Sequence, residues 1–250
     1  MDMEPTADPR VAFIGHSPVA FFGGSFDPPH VGHLAVARAA RAALGLDTVL
    51  FAPVGAQPLK PQGSTADFAD RLAMTRLALA GEPGFAVSLA DAPKPAGAPN
   101  YTLETLLRLR AELPSESRLF CLMGADSFAG LRRWHRAAEI PFVAPLIVAS
   151  RPSESLRRLD DLRARLPEGL MIEPAAEAGA VASGIELRSY QLRNPAGDCT
   201  PFYLLPGLQI DISASQIRDQ VRAAEASRLP GDELLPEAVS AYIRAHNLYR

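Results

Sequence analysis

Cysteine is scarce: the 250 residues contain two, Cys121 and Cys199. Too few and too far apart for a zinc ribbon or a disulfide framework, they fit a reducing cytoplasm. Positive charge is also in short supply. Twenty-five Lys and Arg against 28 Asp and Glu leave a formal net charge of −3. The basic field that a nucleic-acid partner requires is therefore missing, and any phosphate ligand must be held locally. No apolar run approaches the roughly 20 residues of a membrane span. The opening stretch Met1–Arg10 is acidic and contains proline, without the basic and apolar regions of a secretory signal. No internal repeat, low-complexity tract or linker is visible. The expectation is a soluble, cytoplasmic, single-domain protein with neither a nucleic-acid nor a membrane partner, and with a homo-oligomer left open.

What is present is enough apolar material for a sizeable core, since 48% of the residues are hydrophobic. It comes as short unbroken runs, about Val19–Phe22, Thr48–Ala52, Phe85–Leu89, Arg118–Met123 and Pro145–Ala149. Unalternating runs suit strands buried on both faces. Helical patterns fall between them, from near His33 to Leu44, Asp67 to Ala80 and Thr102 to Leu113, with Thr102 suited to cap the last. Strands alternating with helices at these lengths predict an α/β fold, a Rossmann-like doubly wound parallel sheet. Residues 19–250 are expected to form it, closing with C-terminal helices, and residues 1–18 to be a flexible extension. Within 174–207, the strand-like pieces Ile185–Leu192 and Phe202–Leu205 lie among Gly, Pro and Ala, and a surface hairpin or loop is favoured there over a lid.

The chemistry concentrates after the first strand, in Phe22-Gly23-Gly24-Ser25-Phe26-Asp27-Pro28-Pro29-His30-Val31-Gly32-His33. A strand, a glycine loop and a helix start can present backbone N–H groups and a helix N-terminus to phosphate. Gly-Pro-Asp clusters are ordinarily turns, and one histidine at a helix start is ordinarily a cap or a surface residue. The combination is less ordinary. His30 and His33 at i,i+3 put two imidazoles on one helix face, and Gly32 between them costs about 1 kcal/mol of helix stability against Ala. Close approach of a ligand would account for that cost. A second helix opens at Ile212-Ser213-Ala214-Ser215-Gln216-Ile217-Arg218, where Ser213 or Ser215 suits the cap and Arg218 lies one turn in. Alone this is an ordinary capped helix; it is also a second anion site with a forked donor.

The segment Gly24 to His33 resembles the signature of the HxGH nucleotidylyltransferases, and Ile212 to Arg218 is similar to that superfamily's Ile-Ser-x-(Ser/Thr)-x-x-Arg motif. Further segments resemble one branch, the nicotinate-mononucleotide adenylyltransferases: Phe120 to Ser127, with its Gly124-x-Asp126-Ser127; Tyr101-Thr102; Trp134, the only tryptophan; and the tail Leu234 to Arg250. The resemblance implies transfer of AMP from ATP to nicotinate mononucleotide, giving deamido-NAD and pyrophosphate, with Mg²⁺ accompanying ATP and no protein metal site. It implies catalytic roles for His30, His33 and Arg218. ATP would be held by Gly23, Gly24, Ser25, Phe26, Gly32, Gly124, Asp126, Ser213 and Ser215, and the pyridine nucleotide by Tyr101, Thr102, Trp134 and Lys60. Many members carry Pro-His-Lys where this chain has Pro58-Leu59-Lys60, so no role is carried over for that histidine. Arg71 is expected to contact either phosphate or structure. Asp27 is assigned no metal. The stretch 174–207 is longer than the branch's pattern and is read as an insertion. The rival readings are nicotinamide mononucleotide or phosphopantetheine as acceptor, CTP as nucleotide, and a non-catalytic nucleotide-binding module.

Overall fold

Nine strands are present in the computed structural model, which describes residues 18–60, 62–150, 156, 158–175, 180–182, 184–208, 212–223 and 234–250. The strands are β1 (Val19–Gly24), β2 (Thr48–Pro53), β3 (Phe85–Val87), β4 (Leu119–Gly124), β5 (Leu146–Ala149), β6 (Met171–Pro174), β7 (Ala180–Ala182), β8 (Ile185–Arg193) and β9 (Cys199–Leu205). The helices are α1 (Val31–Leu44), α2 (Phe68–Leu79), α3 (Thr102–Glu112), α4 (Ala125–Ala129), α5 (Ile140–Val143), α6 (Leu159–Arg163), α7 (Ala214–Ala223) and α8 (Glu237–Ala245). Of the expected flexible extension, residues 1–17 lie outside the described residues. Among the described residues, no helix is long and apolar enough to cross a membrane.

The sheet order is β3-β2-β1-β4-β5-β9-β8-β6, with β7 paired to β8 off this path. The first six strands run parallel, and β8 and β6 continue the sheet antiparallel. Side chains along a strand alternate between faces, and both faces are covered. From β1, Val19 and Phe21 join one core and Ala20 and Phe22 the other; β4 sends Leu119, Cys121 and Met123 to the first and Phe120 and Leu122 to the second. A third cluster packs α2, α7, α8 and the segment after α8 through Met74, Ile217, Val239, Ile243 and Tyr249. These are the expected C-terminal helices.

Two expectations need correction. The stretch at 185–205 is a hairpin, but not a surface one. Its second arm, β9, pairs in parallel with β5, and Phe202, Leu204 and Leu205 are fully buried. Thr102 does not cap α3; it is the first helical residue, and Tyr101 stands at the cap without a side-chain hydrogen bond.

The chain runs β1-β2-β3 toward one edge and then crosses to β4 on the other side of β1. Strand order therefore reverses between β1 and β4, and ligands of such sheets bind beyond the carboxyl ends at that point.

Candidate active site

A cleft of about 880 Å³ opens at that place. Two strand ends form its floor. Phe22 is level with Leu122 in the β1–β4 register, and Gly23, Gly24, Met123 and Gly124 lie just beyond. Gly124 has ordinary backbone angles (φ −77°), and a Cβ there would meet nothing within 4 Å. Neither backbone nor packing demands glycine at this position, which leaves room for a ligand as the reason for it.

The glycine loop follows β1. Phe26 adopts φ +46°, which a bulky side chain rarely occupies, and is only 1% exposed. Such strain persists only where the surroundings over-determine it. Here they do. Arg71 Nη1 donates to the Ser25 carbonyl at 2.7 Å, Lys60 Nζ to Ser25 Oγ at 3.1 Å, and Arg218 Nη1 to the Asp27 carbonyl at 2.8 Å. The buried Asp27 carboxylate accepts from Thr65 N (2.6 Å), Ala66 N (3.1 Å) and Tyr249 OH (2.8 Å). The Phe26 ring packs edge-on against Phe22 at 5.6 Å and against the His33 imidazole at 5.0 Å.

The two histidines stand at the mouth of α1. His30 is the N-cap residue and His33 the third helical residue, so the helix opens at Val31, two residues earlier than the pattern suggests. Their rings lie 3.8 Å apart. The His30 backbone N–H donates to His33 Nδ1 at 3.2 Å, which places the neutral imidazole's proton on Nε2 and makes that atom a donor.

The start of α7, the second stretch expected to hold an anion, faces the same cleft. Ser213 precedes α7, its Oγ accepts from Gln216 N at 3.2 Å, and Gln216 Oε1 accepts from Ser213 N at 2.8 Å, a reciprocal capping box. Ser215 sits in the first turn and accepts from Arg218 Nη2 at 3.1 Å. Arg218 thus joins the α7 start to the loop after β1.

At the far end, Trp134 is half-buried, packing against the core with one side and lining the cleft with the other. Tyr101 and Thr102 line the same end, and the Tyr101 ring lies 4.5 Å from that of His135. Asp126 is also on the cleft wall. All sixteen residues expected from the sequence to contact substrate line this one cavity. Lys60, expected to bind the pyridine nucleotide, lies beside the loop after β1, where its Nζ donates to Ser25 Oγ.

Arg71 was expected to meet either phosphate or structure, whereas Asp91, Asn100 and Cys121 had no role assigned from sequence. Arg71 is 2% exposed and gives its guanidinium to three carbonyls, those of Ser25, Val54 and Ala66, so its role is to brace the loop. Asp91, in an irregular stretch with no periodicity, lines the cleft while 4% exposed and accepts from Thr105 Oγ1 at 2.5 Å. Burial raises its carboxyl above the ordinary aspartate value. Asn100 ties two loops together, accepting from Ala56 N and donating to the Ala92 carbonyl. Cys121 also lines the cleft, but burial pushes its thiol up to about 12, which keeps it protonated and inert.

A doubly wound sheet with two anion-ready helix starts and a paired imidazole at its switch point defines a nucleotide-binding α/β enzyme class. Residues 21–220 match the cytidylyltransferase-like family model. A protein of Dechloromonas aromatica named "Probable nicotinate-nucleotide adenylyltransferase" is 38% identical over 235 residues, covering 93% of this chain and 98% of the relative. A Gloeobacter violaceus protein of the same name is 36% identical over 231 residues, or 92% and 95% of the two chains. Among solved structures, the Plasmodium falciparum nicotinic acid mononucleotide adenylyltransferase complexed with NaAD superposes with a TM-score of 0.64, covering 94% of this chain and 98% of that one. At 15% identity that likeness concerns the fold. The chain belongs to the cytidylyltransferase-like family and, within it, to the nicotinate-nucleotide adenylyltransferases.

Proposed function

We propose that this chain transfers AMP from ATP to nicotinate mononucleotide, releasing pyrophosphate and forming deamido-NAD, with ATP phosphates between the imidazoles and Arg218 and the pyridine ring against Trp134. The observation that carries this reading is the convergence of the phosphate loop, the α7 start and the Trp134 wall on one cleft. A phosphate oxygen of the mononucleotide attacks the α-phosphorus in line, that bond forms as the bond to pyrophosphate breaks, and the pyrophosphate carries away the electron pair. The nucleophile is already anionic, so no covalent enzyme intermediate and no strong base are needed. Catalysis reduces to positioning and to charge stabilisation on the phosphates. His33 Nε2–H, the loop N–H groups, Lys60 and Arg218 supply the donors.

Nucleotidyltransferases of this family generally use a divalent metal. Both oxygens of Asp27 are taken by Thr65, Ala66 and Tyr249. The residues therefore suit Mg²⁺ arriving on ATP as part of the substrate, ligated by phosphate oxygens and water.

The deciding assay is pyrophosphate release from ATP with nicotinate mononucleotide, nicotinamide mononucleotide or phosphopantetheine. The expected result is the highest kcat/KM with the first; a preference for phosphopantetheine, or no release with any, overturns the reading. Trp134→Ala should raise KM for the mononucleotide and leave that for ATP nearly unchanged. Equal effects on both would return Trp134 to core packing.

Lys60 provides a pH signature. Burial first, then the charge of Arg218, hold its ammonium below the ordinary lysine pKa, with Asp27 partly opposing. A bound triphosphate favours the charged form and raises that pKa again. As the pH is raised toward the range in which the free-enzyme ammonium loses its proton, MgATP binding should therefore take up protons, measurable by titration calorimetry in two buffers of different ionisation heat. Lys60→Met should abolish the uptake; uptake that survives in the variant assigns it elsewhere.

A further inference from the structure

We propose that Tyr249, in the segment after α8, is a positioning residue for the phosphate loop. Its hydroxyl, acting through the Asp27 carboxylate, holds the loop after β1 in register with Arg218 so that both can meet one triphosphate. This rests on the reading of that end of the cleft as the triphosphate site.

The contact is built rather than incidental. Tyr249 is 6% exposed within the cluster formed by α2, α7 and α8. Its backbone takes φ +66°, a conformation that a tyrosine adopts only when its surroundings impose it. That turn carries the ring from the end of α8 to Asp27, and the hydroxyl donates to Oδ1 at 2.8 Å. Burial, then the negative charge of Asp27 and the hydrogen bond to it, push the phenol well above its ordinary pKa, so it remains a donor.

Asp27 is the hub through which this acts. Its side chain also collects Thr65 N and Ala66 N from the loop leading into α2, and its carbonyl collects Arg218 from α7. Three elements distant in sequence are thereby referred to one residue, three positions before His30. Thr65 and Ala66 hold the carboxylate to the α2 loop; Tyr249 alone among these partners joins it to the segment after α8. Removing the hydroxyl leaves the loop folded but frees one of the anchors that set its distance from α7. The expected loss lies in phosphate binding and not at the Trp134 end.

The test uses the full chain titrated with MgATP in the absence of acceptor, for wild type, Tyr249→Phe and Leu235→Val. Leu235 is a buried member of the same cluster and is not among Asp27's hydrogen-bond partners, so its variant controls for general loosening. Tyr249→Phe should bind MgATP about tenfold more weakly, the scale of one lost hydrogen bond to a charged group. Leu235→Val should bind as wild type. In turnover, Tyr249→Phe should raise KM for ATP by a similar factor and leave KM for the acceptor unchanged. Wild-type affinity in Tyr249→Phe, equal weakening in both variants, or failure of Tyr249→Phe to fold would each overturn the proposal. A wild-type chain that does not bind MgATP is a different outcome and removes the functional reading itself.

Discussion

His33→Ala should lower kcat about 10²–10³-fold, the scale on which loss of one transition-state donor registers, while the protein stays folded. The imidazole is locked on three sides. The His30 N–H occupies Nδ1 at 3.2 Å, the His30 ring lies 3.8 Å away, and the Phe26 ring abuts it at 5.0 Å. A donor so fixed needs no reorganisation as charge builds on the phosphates, and alanine removes it outright. The structural cost is confined to one partner of the α1 cap, about 1 kcal/mol. Steady-state kinetics and a thermal melt of the same preparation separate the two effects. A large fall in kcat with a small change in Tm is the expected outcome; wild-type turnover would remove His33 from the mechanism.

Arg71→Ala should act in the opposite way, on stability first. The side chain is 2% exposed and serves the carbonyls of Ser25, Val54 and Ala66 at 2.7, 2.9 and 3.2 Å. It is also a buried cation close enough to Asp27 for their charges to interact. Truncation leaves three carbonyls short of partners and removes the cation beside the Asp27 carboxylate, a loss of about 3–5 kcal/mol. For a chain of this size that is a fall in Tm of about 10 °C. The phosphate loop should loosen with it, so MgATP affinity drops as well. A variant with unchanged Tm but weakened MgATP binding would make Arg71 a phosphate ligand and contradict the brace.

These two residues also mark how far a sequence can be read. His30 and His33 are three apart and their meeting is local, so spacing suffices. The parallel strands were legible for the same kind of reason, since burial on both faces leaves unbroken apolar runs such as Val19–Phe22 and Leu119–Met123. Arg71 shows only as an arginine near a helix start, because its partners lie 46 and 17 positions away at Ser25 and Val54. Arg218 meets Asp27 across 191 positions and Tyr249 meets it across 222. No periodicity reports such contacts.

The misreading of β9 has a local cause. Pro201 argues against an interior strand. It faces Gln191 of β8, whereas the pairing with β5 begins one residue later, at Phe202, so the missing N–H falls outside the parallel ladder. Lys60 was matched to the pyridine-nucleotide ligands by resemblance, and its contact with Ser25, 35 positions away, is beyond any local pattern. Asp91 gave no signal at all, since a lone aspartate in an irregular stretch is usually solvated.

A crystal structure with the dinucleotide product bound is the decisive measurement for the cleft between the His30–His33 pair, Arg218 and Trp134. The expected result is the product's two bridging phosphates against the His30–His33 pair on the side facing Arg218, with the pyridine ring lying against Trp134. A dinucleotide bound with its phosphates away from both histidines and Arg218 would contradict it.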